Sequence, residues 1–202
     1  TASSTFATAY LDSRYDYCNG SSDTSSEIYL FYRRAVDGDE DGYTSDEDCD
    51  DDDATVYPYA GDTYGDGVDS DCDGLDCEAD TLDGAYFAFC PDDKGTWSTA
   101  EALCQSSGYD GLTSILSSDE QDFLNEMMAD TGLETTERPW IGLISSDWNT
   151  WTDGNSVSYT NWASGEPSGT DCGHMNRDRD GTGTWNDVPC SDPDWSMWCS
   201  LR

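Results

Sequence analysis

Apolar residues recur at a helical spacing in two segments of the C-terminal half of the chain. In the first segment Ser98 is placed to cap a helix, and Glu101 follows three residues later, as in a capping box. The second segment begins at Ser118 and is ended by Gly132. The side chains that these two helices are expected to bury are Leu103, Cys104, Phe123, Leu124, Met127 and Met128.

Short runs of aromatic and β-branched residues predict strands. The runs are 27–34 (EIYLFYRR), 85–90 (AYFAFC) and 140–143 (WIGL), and 5–11 is a further candidate. From the end of the third run to Trp185 the chain is rich in Gly, Asn and Asp, which is typical of a long binding loop. The pattern predicts an α+β protein. Its expected parts are an N-terminal β segment at 1–36, an acidic segment at 37–83 and a globular domain at 84–202.

The charge of the chain is strongly negative. Its 202 residues hold 44 acidic and 8 basic side chains, for a net charge of −36. This charge disfavours nucleic acid and anionic membranes as partners and favours divalent cations as counter-ions. Acidity also keeps a protein soluble in salt water, and the sequence does not separate these two roles. No apolar run reaches transmembrane length, so membrane insertion is not expected.

The nine cysteines indicate an oxidising compartment outside the cytoplasm. The chain begins at Thr1 without a methionine. We therefore expect a mature secreted or cell-surface protein from which a targeting segment has been removed.

Near its C-terminal end the chain offers two groups of hard oxygen ligands. Glu166 and Ser168 form one group, and Asn186 and Asp187 form the other. Calcium takes its oxygens from carboxylates, amides and carbonyls. A proline at 167 lets Glu166 and Ser168 face the same way, especially if the Glu166–Pro167 bond is cis.

This stretch resembles the calcium- and sugar-binding end of C-type lectin domains, where a Glu-Pro-Asn or Gln-Pro-Asp loop and a Trp-Asn-Asp strand share one calcium. The resemblance covers residues 77–202. The chain departs from the family at Ser168, where Asn or Asp is usual, and at Thr170, where mannose-binding members often carry an acidic ligand, although Asp171 is adjacent. The other matching positions are 140–143, 151–154, Asn161, Trp162 and the cysteines at 90, 104, 172, 190 and 199.

The resemblance implies a C-type lectin-like fold with two helices, antiparallel sheets and a long loop region. It also implies a calcium site held by Glu166, Ser168, Asn186 and Asp187, with Asp171 as a further ligand-binding residue. Two sugar hydroxyls would coordinate the ion and bond to the same side chains, so carbohydrate or glycoconjugate is the expected partner. Trp162 and Trp185 are expected to pack in the core rather than to stack on sugar. The disulfides that the family implies are Cys104–Cys199, Cys172–Cys190 and Cys77–Cys90.

The acidic segment at 37–83 holds 17 Asp and 3 Glu and no Lys or Arg. Two stretches within it have the spacing of a calcium loop, with a glycine at the sharp turn and a backbone carbonyl as one ligand. The expected ligands are Asp37, Asp39, Asp41, Tyr43 and Asp48 in the first loop, and Asp69, Asp71, Asp73, Leu75 and Asp80 in the second. Another frame, which runs from Asp62 to Asp73, is disfavoured because Tyr64 takes its third position.

This segment resembles the Asp-rich thrombospondin type 3 repeats and the bacterial putative metal-binding repeats. The pattern of the latter is found at 48–51, 57–58 and 66–74. We expect irregular structure that calcium stabilises, with Cys49 and Cys72 as the cysteine pair left inside it. The alternative is a solvated acidic linker.

Cys18 then has no partner within the chain. It is either a buried or capped thiol or half of an interchain disulfide, unless the connectivity differs. The nearby run 27–34 is largely apolar or aromatic on both faces, so both faces should be covered. Residues 1–36 are a hairpin packed on the main domain, an edge that pairs with another subunit, or a disordered segment. We predict self-association through them.

The expected function is that of an extracellular, calcium-binding C-type lectin-like protein that binds carbohydrate in adhesion. The alternative is a structural subunit of an extracellular fibre, sheath or surface layer that uses the same fold as a scaffold. Catalysis is not expected. His174 is the only histidine and is expected to be structural, and the chain has no zinc motif or phosphate-binding loop.

Overall fold

The computed structural model describes residues 35–145, 148–169, 171–176, 178 and 181–202. Val36–Arg202 form one compact unit. The predicted strands at 5–11 and 27–34 and the unpaired Cys18 lie outside the described residues. In the described part, no helix is long and apolar enough to cross a bilayer.

In the described residues, two helices and seven strands form the ordered framework. The helices are α1 (Trp97–Ser106) and α2 (Ser118–Asp130). The strands are β1 (Glu78–Leu82), β2 (Ala85–Gly95), β3 (Gly111–Leu112), β4 (Trp140–Ile144), β5 (Cys172–His174), β6 (Asn186–Val188) and β7 (Trp195–Leu201). The sheet has the order β1-β2-β7-β4-β5-β6, and β3 pairs with β7. The β4–β7 pairing is parallel and the others are antiparallel, as expected for an α+β protein.

The first part of strand β2, residues 85–91, is buried on both faces, which explains its unbroken apolar sequence. Tyr86 and Ala88 belong to a core cluster that includes side chains of α1. Phe87 and Phe89 belong to a second cluster that includes side chains of α2, among them Met128. Because successive side chains of a strand point to opposite faces, the two helices cover opposite sides of the sheet. The predicted burial of the methionines of α2 is confirmed.

Helix α1 begins earlier than the sequence predicts. Its N-cap is Thr96, whose side chain accepts the amide of Thr99 at 3.3 Å. The prediction that Ser98 caps the helix is wrong, because Trp97 already lies inside the helix and in the core. The Trp97 indole donates to the carbonyl of Ile141 at 2.9 Å, and this burial fixes where the helix starts.

The capping box predicted for α1 is not formed, whereas α2 is capped by a serine side chain. In α1, Glu101 does not return to the cap, and its Oε2 instead accepts the amide of Leu112 at 2.7 Å. In α2, the side chain of Ser117 caps the amide of Glu120 at 3.1 Å. The predicted start of α2 at Ser118 is confirmed.

Four disulfides hold the unit together, and they are the pairs that the sequence led us to expect. Cys104–Cys199 joins α1 to β7, Cys172–Cys190 closes the segment that holds β5 and β6, and Cys77–Cys90 joins the start of β1 to β2. Cys49–Cys72 lies inside the acidic segment.

The acidic segment connects to the sheet through the hairpin of β1 and β2. The two strands pair from Glu78 opposite Phe89 to Leu82 opposite Ala85. The predicted domain boundary between residues 83 and 84 therefore falls in the turn of this hairpin. From residue 36 to residue 77 the described chain has no helix or strand, and a single bridge pairs Asp62 with Ala79.

Arg202 joins the end of β7 to the first turn of α2. Its guanidinium makes two parallel hydrogen bonds to the carboxylate of Glu120, at 2.9 and 2.8 Å. It also donates to the Ser114 carbonyl at 2.6 Å and lies over the ring of Phe87. Both members of the ion pair are largely buried, with side-chain exposures of 17% and 16%.

Candidate functional site

The loop after Ala163, which carries the first predicted group of oxygen ligands, lies against β6, which carries the second. The Glu166–Pro167 bond is cis, which is the condition under which Glu166 and Ser168 were expected to face the same way most readily. Asp187 on β6 faces this loop. Its Oδ1 accepts the amide of Ser168 at 2.8 Å, and its Oδ2 accepts the amide of Gly169 at 2.6 Å.

The base of the same loop is hydrogen-bonded to the residue before β6. The amide of Ala163 donates to the Trp185 carbonyl at 2.9 Å, and the amide of Trp185 donates to the Asn161 carbonyl at 2.8 Å. The amide of Glu166 turns back to the Ala163 carbonyl at 3.0 Å. The loop is therefore fixed to one short strand at its base through backbone bonds and at its tip through Asp187.

The tip of the loop leaves no room for a side chain at Gly169. A Cβ there would lie 2.8 Å from Oδ2 of Asp187 and 3.2 Å from Oδ2 of Asp171. Glycine permits this close approach of backbone to carboxylate. Asp171 thus lies beside the same loop, as the sequence suggested. Asp187 is buried, whereas Ser168 and Gly169 are exposed.

The strands β5 and β6 place the remaining predicted ligand. Gly173 pairs with Asp187, and His174 pairs with Asn186. The Cys172–Cys190 disulfide closes the segment that contains both strands. Asn186 is half-buried at the edge strand of the sheet.

Aromatic residues support the site from beneath. Trp185 is fully buried, and its indole donates to the Gln121 side chain at 2.7 Å. The rings of Trp151 and Trp162 meet it edge to face, with centroids 5.5 and 5.6 Å away. The expectation that Trp185 packs in the core rather than on a sugar is confirmed.

His174 is a structural residue, as expected. Its side chain is 1% exposed. The Nδ1 atom lies 2.7 Å from the Met175 carbonyl, and the ring packs against Trp195 with centroids 4.2 Å apart. A histidine held in this way supports strand β5.

The acidic side chains at this loop do not form a close cluster. Within the described residues, four groups of three His, Cys, Asp or Glu side chains have ligand atoms within 4.8 Å of one another, and none contains Glu166, Asp171 or Asp187. Both oxygens of Asp187 already accept amides. A carboxylate oxygen has two lone pairs and can accept an amide and face a cation together, so the arrangement is compatible with an ion that also uses Glu166, Ser168 and Asn186.

The first acidic loop gathers three of its predicted ligands. Asp37, Asp39 and Asp41 have carboxylate oxygens within 4.8 Å of one another. The Oδ2 atoms of Asp39 and Asp41 are buried and have no hydrogen-bond partner, and so is Oδ2 of Asp48. Burial raises the pKa of Asp39, and the neighbouring carboxylates add to the rise. Orphaned oxygens among like charges are what a divalent cation would satisfy.

The second acidic loop repeats the backbone of the first. Asp69, Asp71 and Asp73 again have oxygens within 4.8 Å of one another. In each loop three backbone amides donate to aspartate side chains at matching positions. In the first loop the amides of Gly42, Asp41 and Tyr43 donate to Asp37, Asp39 and Asp41, respectively. In the second loop the amides of Gly74, Asp73 and Leu75 donate to Asp69, Asp71 and Asp73. The turn glycines both have positive φ, 110° at Gly42 and 83° at Gly74. The sequence periodicity is thus a repeat of structure.

Two tyrosines from the globular domain hold the second loop, and within the described part of the chain no tyrosine hydroxyl bonds to the first loop in this way. The hydroxyl of Tyr86 donates to Oδ2 of Asp71 at 2.6 Å, and that of Tyr109 donates to Oδ2 of Asp73 at 2.5 Å. Burial, followed by the adjacent carboxylates, raises the pKa of both tyrosines. Burial also raises the pKa of Asp71 from 3.8 to about 7.

Asp80 and Asp62 differ from the sequence prediction for the second loop. Asp80, the predicted last ligand, is exposed on β1, and its Oδ1 accepts the amide of the next residue at 2.7 Å. Asp62, which belongs to the disfavoured frame, is 2% exposed and accepts the amide of Ser70 at 3.1 Å. The calcium-loop spacing that begins at Asp62 was the one signal in the sequence that could have identified this residue as a ligand. No sequence signal connects Tyr86 and Tyr109 with the loop, because they are distant from it along the chain.

The acidic loops are also joined to each other. The Cys49–Cys72 disulfide links the residue after Asp48 to a residue inside the second loop. The sulfurs of this pair lie near a carboxylate oxygen of Asp48. Because both cysteines are oxidised, they are not metal ligands, and the oxygens alone remain as donors.

The chain matches the family model of the Lectin C-type domain over residues 93–199, which is more than half of its length. Residues 1–92, including the acidic loops, lie outside this match.

Individual relatives agree with the family match. The chain is 38% identical over 105 residues to an alpha-N-acetylgalactosamine-specific lectin of Patiria pectinifera, a match that covers 48% of this chain and 62% of that protein. It is 33% identical over 126 residues to human lithostathine-1-alpha, covering 58% of this chain and 75% of the relative. The solved C-type lectin domain of murine dendritic cell inhibitory receptor 2, in complex with N-glycan, superposes with a TM-score of 0.52 at 28% identity, covering 61% of this chain and 95% of that one.

Proposed function

The chain belongs to the C-type lectin domain family, and from this premise we propose that it is an extracellular protein that binds carbohydrate in a calcium-dependent way. The Patiria relative is described as a lectin for alpha-N-acetylgalactosamine, and the murine domain was solved with an N-glycan. The two matches support a carbohydrate partner and leave the choice of sugar open.

One observation carries the proposal most directly. The cis-proline loop lies against β6 so that Ser168 and Asp187 are in hydrogen-bond contact. Glu166 and Asn186 flank this contact along the chain. The contact joins the loop that carries Glu166 and Ser168 to the strand that carries Asn186 and Asp187, which supports a shared site at this edge of the sheet.

The side chains at this edge have distinct roles in the proposal. Glu166 and Asn186 are half-buried and Ser168 is exposed, and one carboxylate oxygen of Glu166, Oε2, is buried. Asp187 is buried and orders the loop through its two amide contacts. Glu166, Ser168, Asn186 and Asp187 would hold the calcium, and sugar hydroxyls would take coordination positions otherwise filled by water. The same side chains would accept hydrogen bonds from those hydroxyls, and Asp171 is close enough to the loop to add one.

The acidic loops are proposed as structural calcium sites. Their ligands are those named from the sequence, apart from the last ligand of the second loop. The orphaned carboxylate oxygens of Asp39, Asp41, Asp48 and Asp69 support an ion in each loop. Because this segment has few buried apolar residues, calcium binding would contribute much of its order.

The disulfides and the buried histidine support an extracellular location and a binding role. Four disulfides are consistent with an oxidising compartment. We propose that the protein acts by binding and not by catalysis, since its single histidine is buried in a structural position.

A glycan array with the full chain tests the proposal. Wild type is applied in millimolar calcium and again after chelation, together with Glu166→Gln and, as a matched control, the exposed Glu126→Gln. We expect calcium-dependent binding that Glu166→Gln abolishes and Glu126→Gln keeps. If wild type binds no glycan in calcium, the lectin proposal fails and the structural-subunit alternative gains.

Self-association through residues 1–36 stays a prediction, since residues 1–34 lie outside the described part. Sedimentation of the full chain beside a chain that starts at Asp37 tests it. A polymer or oligomer that the shorter chain no longer forms is expected. Monomers in both samples across calcium and salt concentrations would remove it.

A further inference from the structure

Asp62 is a buried carboxylate with an unused oxygen. The residue is 2% exposed. Its Oδ1 accepts the amide of Ser70 at 3.1 Å, and Ser70 lies between Asp69 and Asp71 along the second acidic loop. Its Oδ2 is buried and has no hydrogen-bond partner. Backbone bonds to Ala79, at 3.0 and 2.9 Å, fix the main chain of Asp62 against β1.

The acidic segment that contains Asp62 offers no positive charge. Residues 37–83 contain no Lys or Arg, and the charge of the Asp71 carboxylate acts unfavourably on an ionised Asp62. A buried ionised carboxylate without a positively charged partner is costly. The group that would satisfy it is a cation shared with the carboxylates of the loop.

Asp80 is on the wrong face of the sheet to take this role. In an antiparallel pair, residues directly opposite each other point to the same face. Asp80 is opposite Phe87, whose ring lies in the cluster covered by α2. Tyr86, whose hydroxyl holds the second loop, belongs to the other face. The side chain of Asp80 therefore points away from the loop that it was predicted to close.

We propose that Asp62, and not Asp80, completes the second calcium site together with Asp69, Asp71 and Asp73. This inference rests on the proposed binding of calcium by the acidic loops. The hydroxyls of Tyr86 and Tyr109 are positioning groups, which fix one oxygen of their carboxylate partners.

The consequence is a link between the ion and the lectin domain. The backbone of Asp62 pairs with β1, and both tyrosines belong to the globular domain. An ion in the second loop would therefore fasten the acidic segment directly to the sheet, whereas an ion in the first loop would reach the sheet only through the Cys49–Cys72 disulfide and the second loop.

Calcium titration of the full chain tests the assignment. Calcium is removed and returned in a calorimetric titration of wild type, Asp62→Asn and Asp80→Asn. Asn at 62 keeps an oxygen that accepts the Ser70 amide but removes the charge. We expect Asp62→Asn to weaken calcium binding at one site by about tenfold or more, and Asp80→Asn to leave every site unchanged.

A second measurement does not depend on the variants being folded. In wild type labelled with ¹³C, the carboxylate resonance of Asp62 should shift on addition of calcium, and that of Asp80 should not. A shift at Asp80 without one at Asp62, or wild-type affinity in a folded Asp62→Asn, overturns the assignment while calcium binding stands. A wild-type chain that takes up no calcium removes the proposed calcium sites and this inference together.

Discussion

Replacing Asp187 by alanine should destabilise the lectin domain even when no calcium is present. The carboxylate is 7% exposed and accepts two backbone amides, at 2.8 and 2.6 Å. A hydrogen bond to a charged group contributes about 1.5–3 kcal/mol. The variant loses two such hydrogen bonds, so the upper bound on the loss in the free energy of unfolding is about twice the value for one bond.

Two effects reduce the expected loss. Removing Asp187 also removes the cost of burying its charge. The freed amides belong to Ser168 and Gly169, which are exposed and can bond to water. We therefore expect Asp187→Ala to lower the free energy of unfolding by about 2 kcal/mol.

Urea denaturation in the presence of a chelator measures this loss, followed by tryptophan fluorescence. The matched control is Asp194→Ala, because Asp194 is an exposed aspartate close in the chain, and its removal should change the free energy of unfolding by less than about 0.5 kcal/mol. Faster hydrogen exchange at the amides of residues 168 and 169 should accompany the loss. If Asp187→Ala is as stable as the control, Asp187 does not hold the loop and the reasoning is wrong.

Three further predictions follow from other contacts. Chelation should speed proteolysis within 37–80 before the rest of the described chain is cut, and equal cleavage with and without calcium would contradict this. Burial raises the pKa of Glu101 above its ordinary 4.5, so the folded state holds the proton more tightly than the unfolded state does. The free energy of unfolding of wild type, compared with that of Glu101→Gln, should therefore fall as the pH rises above 4.5. If the free energies of the two proteins change in parallel with pH, this prediction is wrong. Arg202→Met, which breaks the bidentate pair with Glu120, should cost about 2 kcal/mol in urea, whereas Lys94→Met in an exposed pair should cost less than about 1 kcal/mol; equal losses would show that the geometry of the pair does not matter.

The fold was largely accessible from local patterns. The AYFAFC run marks β2 because a strand buried on both faces has no polar alternation, and the stripe ending at Met128 marks α2 because helix periodicity repeats one face. The start of α1 was predicted wrongly, since the burial of Trp97 against Ile141 depends on residues far along the chain.

The candidate site was accessible where the signal was local and not where it was tertiary. A short motif was enough to raise a cis bond at Glu166–Pro167, where the structure has one. The two hydrogen bonds that Asp187 accepts from backbone amides could not be predicted from the sequence, because they depend on where Gly169 lies in the folded chain. The same holds for the choice between Asp62 and Asp80 as the last ligand, because the face to which Asp80 points is known only once β1 is paired with β2.

The most direct test of the central claim is a site-resolved titration. Backbone amide resonances of the full chain, in ¹⁵N-labelled protein, are followed as calcium is added and then as a glycan identified on the array is added. We predict that calcium shifts the amides of Ser168, Gly169 and Asn186, and that the glycan shifts the same amides only when calcium is present. Shifts confined to residues 37–80, with residues 166–187 unchanged by calcium and by glycan, would contradict a calcium-dependent sugar site at this loop.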